Sequence, residues 1–160
     1  VSLWKAIYFS VFLVLPMIIA PFSWWVTLIG FLIMLYVIGF MMAVIFQAAH
    51  VMPETAFPEA PEDGKMQQNW TVHQLITTTN FAPNNKLLSW YVGGLNFQVE
   101  HHLFPNICHV HYKALSKIVR ETAEEFDLPY NSIGKFREAV AEHAKMLYML
   151  GNGAVIKQGF

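Results

Sequence analysis

The distribution of apolar residues divides the chain into a hydrophobic first third and a mixed remainder. No residue from Ala6 to Pro53 carries a formal charge, and apolar residues fill two stretches, from about Leu3 to Ala20 and from about Trp24 to Phe46. With 18 and 23 residues, the two stretches are close to the roughly 20 residues that an α-helix needs to cross a bilayer. Residues 21–23, Pro-Phe-Ser, favour a turn between them. The pattern therefore predicts a transmembrane helical hairpin.

The remainder predicts a helical cap. Proline and acidic residues between Pro53 and Gly64 favour a loop, a helix is expected from Trp70 to about Phe81, and an apolar segment follows from Leu87 to Phe97. Two amphipathic helices close the chain, with faces formed by Leu115, Ile118, Val119 and Thr122 and by Phe136, Val140, His143 and Leu147. We therefore expect an all-α membrane protein, with two transmembrane helices in residues 1–49 and the cap in residues 50–160.

Charge sets the expected orientation and excludes several classes of protein. Of the ten Lys and Arg residues, Lys5 precedes the hairpin and the other nine follow it, which leaves the turn with none. The positive-inside tendency then places both ends, and the cap, in the cytoplasm. A charged fraction of only 13% excludes an ordinary water-soluble enzyme, and a net charge of -1 offers no basic surface to nucleic acid. The lone Cys108 excludes an internal disulfide, and Val1 in place of a start Met indicates a piece of a longer protein.

Histidines are the residues of this sequence most suited to bind a metal, and their spacing indicates which of them share a helix face. Seven histidines are present, none of them in the middle of a predicted span. Gln98, His101 and His102 stand at i, i+3 and i+4, which brings their side chains to one face of a helix. The imidazole nitrogen is a suitable ligand for Fe, Zn, Cu or Ni, and the glutamine oxygen is a weaker one. Glu100 would accept a hydrogen bond from the N–H of a ligating histidine ring. The alternative is a pair of histidines that only line a polar helix face.

The residues around this spacing resemble a known family. Residues 93–105 read Gly-Gly-Leu-Asn-Phe-Gln-Val-Glu-His-His-Leu-Phe-Pro. They closely resemble the third histidine box of the membrane fatty acid desaturases, in the subgroup where Gln replaces the first His of H-x-x-H-H. That subgroup includes the front-end desaturases and their bacterial acyl-CoA or acyl-lipid relatives. Two upstream segments, Phe46 to Glu54 and Trp70 to Leu75, resemble the parts of the family that precede this box.

The resemblance implies a non-haem diiron oxidoreductase that uses O2 to introduce a double bond into an acyl chain. His101 and His102 would be iron ligands, and Gln98 would occupy the third ligand position of the box. Asn69 and His73 form N-x-x-x-H, which resembles a ligand pattern of acyl-CoA desaturases in which the Asn holds a water. His50 is the rival for this extra ligand, with His73 slightly favoured.

The resemblance also implies partners and a larger protein. The partners are an acyl-CoA or acyl-lipid substrate, two iron ions, O2, membrane lipid and a cytochrome b5 or ferredoxin type electron donor. Two earlier boxes of the family, H-x-x-x-H and H-x-x-H-H, do not occur in this sequence, and the family has four spans where two are predicted here. We therefore expect the C-terminal half of a multi-pass membrane desaturase, which alone would not assemble the diiron centre.

Two other functions stay open on the sequence. One is a membrane diiron hydroxylase of alkanes, carotenoids or sphingolipids, and the other is a non-catalytic membrane protein whose histidines bind zinc or nothing. His109 and His111 follow Cys108, but residues two apart diverge on a helix and no matching pair occurs, so an ordinary helix start is expected. His143 lies on the apolar face of the last helix and is expected to be packed or hydrogen-bonded there.

Overall fold

The computed structural model describes residues 2–58 and 68–153. The chain divides into two compact units, residues 1–43 and 44–160. The described residues are mostly helical, in line with the expected fold class. Residues 53–58 form turns and irregular backbone, as expected for a loop, and the rest of the proline- and acid-rich stretch lies outside the described residues.

The first helical segment of unit 1 changes its winding ahead of a proline. It consists of α1 (Ser2–Phe9), a π-helical stretch (Ser10–Val14) and α2 (Leu15–Ile19). Pro16 has no N–H to donate to the preceding turn, and a π-helical stretch is one way in which a helix absorbs that loss. The segment ends at Ala20, whose ψ of 144° is extended, as favoured in a residue that precedes a proline.

The second helix, α3 (Trp24–His50), follows directly and continues one turn beyond the Phe46 expected from the sequence. Both Ser2–Ile19 and Trp24–His50 are long and apolar enough to cross a membrane, by length and composition, with mean hydropathies of 1.8 and 2.7. Of the 18 most apolar consecutive residues in each helix, 0% and 11% are buried within the chain, whereas the core helix of a soluble protein would be mostly buried. Within unit 1, the rings of Tyr8 and Phe31 lie 6.1 Å apart between centroids.

Unit 2 contains the end of α3 and the remaining described elements. In chain order they are α4 (Trp70–Thr77), β1 (Asn80–Phe81), α5 (Lys86–Tyr91), α6 (Gln98–Leu103), a 3-10 turn (His109–His111), α7 (Tyr112–Glu125), β2 (Ser132–Ile133) and α8 (Phe136–Gly151). The two strands pair in parallel, with Asn80 opposite Ser132 and Phe81 opposite Ile133. This short strand pair departs from the all-α prediction.

A hydrophobic core encloses α6. Leu75 of α4, Val99 of α6 and Val119 of α7 are buried together. The partly buried side chains packed against them are Leu103, Phe104, Leu128 and Tyr130. Burial of apolar area from three helices is the main force that holds such short elements in one arrangement. The position of α6 is therefore set by α4 and α7.

The helix expected to reach about Phe81 ends at Thr77, so the prediction was wrong over residues 78–81. Threonine is a weak helix former, and the hydroxyls of Thr77 and Thr78 donate to backbone carbonyls four residues before them. Thr78 is extended, with ψ of 154°. The next N–H, that of Thr79, donates to the carbonyl of Ala49 at 2.9 Å, and the chain continues into β1.

The two closing helices form as expected, but their buried faces differ from the predicted ones. Ile118 is 59% exposed in α7, and Leu147 is 52% exposed in α8. The buried residues of the two helices are Tyr112, Val119, Ala123, Ala139 and Met146. The prediction followed the larger aliphatic side chains, whereas two of these five buried residues are alanines, whose small side chains allow close approach of the helix to its neighbours. In α7 this turns the buried face away from Ile118.

Candidate metal centre

The predicted ligands of the box lie on α6, which follows a tight turn. Gly93 and Gly94 have φ angles of +60° and +76°, in the left-handed region that glycine adopts without strain. A β-carbon on Gly94 would lie 2.7 Å from the β-carbon of His109. Gly94 therefore serves both the turn and the close approach of the 3-10 segment to the box.

Three of the predicted residues meet between α3 and α6. The side-chain nitrogen Nε2 of Gln98 lies 3.1 Å from Nε2 of His50 and 3.1 Å from Nε2 of His102. The ring centroids of the two histidines are 5.1 Å apart. The i, i+4 spacing brings Gln98 and His102 together as the sequence predicts, and His50 joins them from the last residue of α3.

The hydrogen bonds show which ring nitrogens carry lone pairs. The amide nitrogen of Gln98 can only donate, so the Nε2 atoms of His50 and His102 accept from it and are unprotonated. On its other side, His102 donates from Nδ1 to the side-chain oxygen Oε1 of Gln74 at 2.8 Å. His50 has a further hydrogen bond with the backbone of Thr77. Two imidazole lone pairs therefore converge on the side chain of Gln98.

Electrostatics favour the neutral form of His102. Burial, together with the nearby His50 and His101, lowers the pKa of His102 to about 4. The Gln98 side chain between the rings is buried, with 3% of the residue exposed. Since the neutral ring is the form that binds a metal, the protonation state of His102 at neutral pH suits a ligand.

His101 lies beside this group and has a different partner. Its ring centroid is 5.8 Å from that of His102, with the two rings almost perpendicular at 85°. Its Nδ1 lies 3.3 Å from the hydroxyl of Tyr112, the first residue of α7. Burial raises the pKa of Tyr112, so the hydroxyl keeps its proton at neutral pH. Tyr112 is thus the hydrogen-bond partner that orients His101.

The structure places Asn69 and His73 at the start of α4, apart from the hydrogen bonds around Gln98. The Asn69 side chain caps α4 by accepting from the N–H of Thr71 at 2.9 Å, so its observed contact is structural. His73 is half-buried, and its Nδ1 has no hydrogen-bond partner among the described residues. In that part of the chain its ring forms no hydrogen bond or ring contact with His50 or Gln98.

The donor set fits part of an iron site. Two imidazole nitrogens, a third histidine beside them and the oxygen of the Gln98 amide, once it is turned toward the rings, are donors that suit iron. In residues 2–58 and 68–153, no three His, Cys, Asp or Glu side chains group as a metal site. The cluster of His50, His102 and Gln98 is not such a group, because its third member is a glutamine amide. The described residues thus supply a partial ligand set.

Glu100 does not support a ring N–H, so that hypothesis was wrong. Its carboxylate is fully buried and accepts from Nδ2 of Asn80 at 2.7 Å and from the hydroxyl of Tyr130 at 2.9 Å. Burial raises the pKa of Glu100, and these hydrogen bonds oppose the rise. The reason for the different partners is helix geometry, because two residues correspond to about 200° around the axis and turn Glu100 away from Gln98.

The remaining histidines behave as expected. His109 and His111 bound the exposed 3-10 turn that leads into α7, which is the predicted helix start. His143 of α8 is half-buried and donates from Nδ1 to the carbonyl of Val51 at 2.9 Å. It is therefore a hydrogen-bonded residue of the cap, as predicted.

Besides Tyr112, the partner of His101, sequence reasoning missed three residues around the site: Gln74, Asn80 and Tyr130. Gln74 stands 28 positions from His102, and the other two stand 20 and 30 positions from Glu100, so no short-range pattern connects them. The one available signal was the segment Trp70 to Leu75, which contains Gln74 but was considered for His73 alone.

Two helices that by length and composition can cross a membrane, and a cluster of half-buried imidazoles and a buried amide at the end of one of them, indicate a membrane protein whose side chains offer metal-binding donors. A sequence model described as fatty acid desaturase matches residues 1–134. The chain belongs to the fatty acid desaturase family, a family of membrane proteins. The resemblance drawn from the histidine box is thereby confirmed.

The curated relatives include enzymes of plants and cyanobacteria. The chain is 40% identical to an acyl-lipid (8-3)-desaturase of Physcomitrium patens, over 92% of this chain and 30% of the relative. It is 40% identical to an sn-1 linoleoyl-lipid 6-desaturase of Synechocystis sp., over 79% of this chain and 36% of the relative. It is 38% identical to the enzyme of the same name from Arthrospira platensis, over 89% of this chain and 38% of the relative.

The chain spans about a third of the length of these relatives. No solved structure matches it.

Proposed function

We propose that the chain is the C-terminal part of a four-span membrane desaturase that introduces a double bond into a lipid-linked acyl chain. The observation that carries the proposal is the convergence of His50, Gln98 and His102, three side chains with metal-binding donors, in a member of the desaturase family. The names of the relatives, which include acyl-lipid and linoleoyl-lipid desaturases, favour an acyl-lipid over an acyl-CoA substrate.

The same observations support a diiron centre completed by other parts of the full-length protein. His50, His101 and His102 would bind through ring nitrogens, and Gln98 through Oε1. Iron supplies what no side chain can, namely the activation of O2 for oxidation of an unactivated CH2. Two electrons come from a cytochrome b5 or ferredoxin type donor. The hairpin in residues 1–49 anchors the enzyme, and the cap in residues 50–160 faces the cytoplasm.

The chain's own residues prepare the donors. Gln74 holds the proton of His102 on Nδ1, which keeps Nε2 free to bind. Tyr112 orients the ring of His101. The amide nitrogen of Gln98 donates to the Nε2 atoms of both His50 and His102. Rotation of the amide group would turn its oxygen toward the two rings, and an oxygen is the atom that can bind a cation.

The two candidates for the extra ligand have different support. His50 lies in hydrogen-bond contact with Gln98, whereas the sequence slightly favoured His73, whose buried Nδ1 lacks a described partner. We propose that both contribute to iron binding, with Asn69 supporting His73 by capping its helix. In the full-length protein, His50→Ala and His73→Ala should each lower the iron content per chain. A variant that keeps the wild-type iron content removes its histidine from the ligand set.

The proposed activity is tested in the full-length protein. Host cells supplied with linoleic acid should form a fatty acid with one more double bond and no added oxygen, as measured by gas chromatography and mass spectrometry, and the purified protein should contain two irons per chain. His102→Ala, the control, should form none. A hydroxylated product would show that the protein is a hydroxylase instead. Absence of iron from the wild-type protein would show that it is a non-catalytic protein.

Gln98 allows a sharper test of the ligand set. Gln98→Ala should lose product and iron because it removes both the oxygen donor and the group that bridges the rings. Gln98→His supplies a nitrogen donor at the same position and should retain more iron than Gln98→Ala. Wild-type behaviour of Gln98→Ala would reduce Gln98 to a structural residue.

A further inference from the structure

The helix that carries the box cannot orient itself. α6 contains six residues, fewer than an isolated helix needs to be stable in water. The first N–H groups of a helix need partners from outside it, which a side chain of the residue before the helix commonly supplies. Here that residue is Phe97, which offers no such side chain.

Asn80 of β1 supplies the missing cap from another element. Its side-chain oxygen Oδ1 accepts from the N–H of Val99, the second residue of α6, at 2.9 Å. That is the bond which an N-cap side chain makes in an ordinary helix. Asn80 is fully buried, so water does not compete for this contact.

The other end of the same amide closes a buried network. Nδ2 of Asn80 donates to Oε2 of Glu100 and to the hydroxyl of Tyr130, both at 2.7 Å, and that hydroxyl donates to Oε1 of Glu100 at 2.9 Å. The Arg120 guanidinium lies 5.0 Å from the centre of the Tyr130 ring. Strands β1 and β2 place Asn80 and Tyr130 beside each other, because Asn80 pairs with Ser132.

We propose that Asn80, acting with Glu100 and Tyr130, is a positioning residue that sets the orientation of the metal-binding face of α6. Asn80 fixes the start of the helix through Val99 and its rotation through Glu100, which lies about 200° around the axis from Gln98. A helix held at its start and along its back presents Gln98 and His102 in one direction. The inference rests on the proposed function, since it concerns the same ligands.

Exchange of amide and carboxylate tests this network in the full-length protein. Asn80→Asp keeps the Oδ1 acceptor for Val99 but sets a carboxylate against that of Glu100. The double variant Asn80→Asp with Glu100→Gln restores one donor and one acceptor in reversed order. Asn96→Asp is the matched control, because Asn96 is equally buried but its amide contacts Ala82 and Ser89.

The readouts are iron per chain, the visible absorption of the cobalt-loaded protein and the thermal midpoint in detergent. Asn80→Asp should lower metal affinity by about 10- to 100-fold, the usual loss for a residue that orients a ligand, and should shift the cobalt bands. The double variant should recover most of the affinity and the wild-type bands. Asn96→Asp should lower the midpoint while the folded protein keeps its cobalt spectrum.

Tyr130→Phe covers the case in which Asn80→Asp does not fold, because it removes a single hydroxyl and should weaken metal binding in the same direction. Wild-type affinity and cobalt bands in Asn80→Asp, or in Tyr130→Phe where only that variant folds, would overturn the inference. Failure of the folded double variant to recover binding would also overturn it. Absence of iron from the wild-type protein would overturn the proposed function first, and the inference with it.

Discussion

Replacement of Gln74 by leucine isolates the effect of one hydrogen bond on the candidate metal centre. Leucine is close in size to glutamine but cannot accept the proton that Nδ1 of His102 donates to Oε1 of Gln74 across 2.8 Å. The ring would lose the bond that defines which nitrogen is protonated. His102 could then turn, or carry its proton on Nε2, the atom that faces Gln98.

The size of the effect follows from two separate considerations. A buried donor left without an acceptor costs about 1–3 kcal/mol, which corresponds to a roughly 5- to 150-fold change in an equilibrium constant. Loss of the group that supports a ligating histidine typically costs about 10- to 100-fold in metal affinity or activity. We therefore expect Gln74→Leu to bind iron about 10- to 100-fold more weakly than wild type.

The assay is a titration of metal-stripped full-length protein with Fe(II) or Co(II) in competition with a chelator. Gln74→Glu is the matched control, because it keeps an oxygen acceptor, and its carboxylate should leave affinity equal to that of wild type or higher. Equal affinity of Gln74→Leu and wild type would refute the reasoning. So would a Gln74→Glu variant as weak as Gln74→Leu, since the acceptor would then not be the relevant feature.

Three further results are expected. In full-length protein, His101→Ala and His102→Ala should each abolish desaturation while membrane insertion survives, and near-normal product from either would remove it from the ligand set. Reporters at the C-terminus should read cytoplasmic and a tag near Ser23 should read from the opposite side; a C-terminus outside would contradict the charge argument. Gly94→Ala should lower the free energy of unfolding by about 2–5 kcal/mol, because a positive φ and steric overlap with His109 add together. Gly93→Ala has free space around it and should cost about 1–2 kcal/mol from the positive φ alone. Thermal unfolding compares the two variants.

Local spacing was sufficient to predict that Gln98 and His102 meet on one face of α6. The intervals among Gln98, His101 and His102 belong to one helix, so helical periodicity alone brings them together, and the structure shows the Gln98 and His102 contact. The contact of His50 with this face did not follow from spacing, because His50 and Gln98 are 48 positions apart and meet only through tertiary packing. The apolar segments likewise predicted α3, whose period and length are local properties.

The end of α4 shows where local reasoning fails. Thr77 to Phe81 could continue a helix by composition, but the backbone of Thr79 bonds to Ala49 and that of Asn80 to Asn131. These partners are 30 and 51 residues away by the numbering of the chain, and they compete successfully with helical hydrogen bonds because threonine weakens the helix. A contact between distant segments therefore decided the boundary, and it created the strand that holds Asn80.

Val99 and Glu100, which separate the candidate ligands Gln98 and His101, make contacts that the motif Q-x-x-H-H does not specify. Val99 packs in the core with Leu75 and Val119, and Glu100 binds Asn80 and Tyr130. A six-residue helix gains too little from its own hydrogen bonds to resist rotation, so the direction of its ligands is only as well defined as the contacts of its opposite face. We therefore expect the two intervening positions to determine where the imidazoles point, so that exchange of either one should weaken metal binding although neither is a candidate ligand.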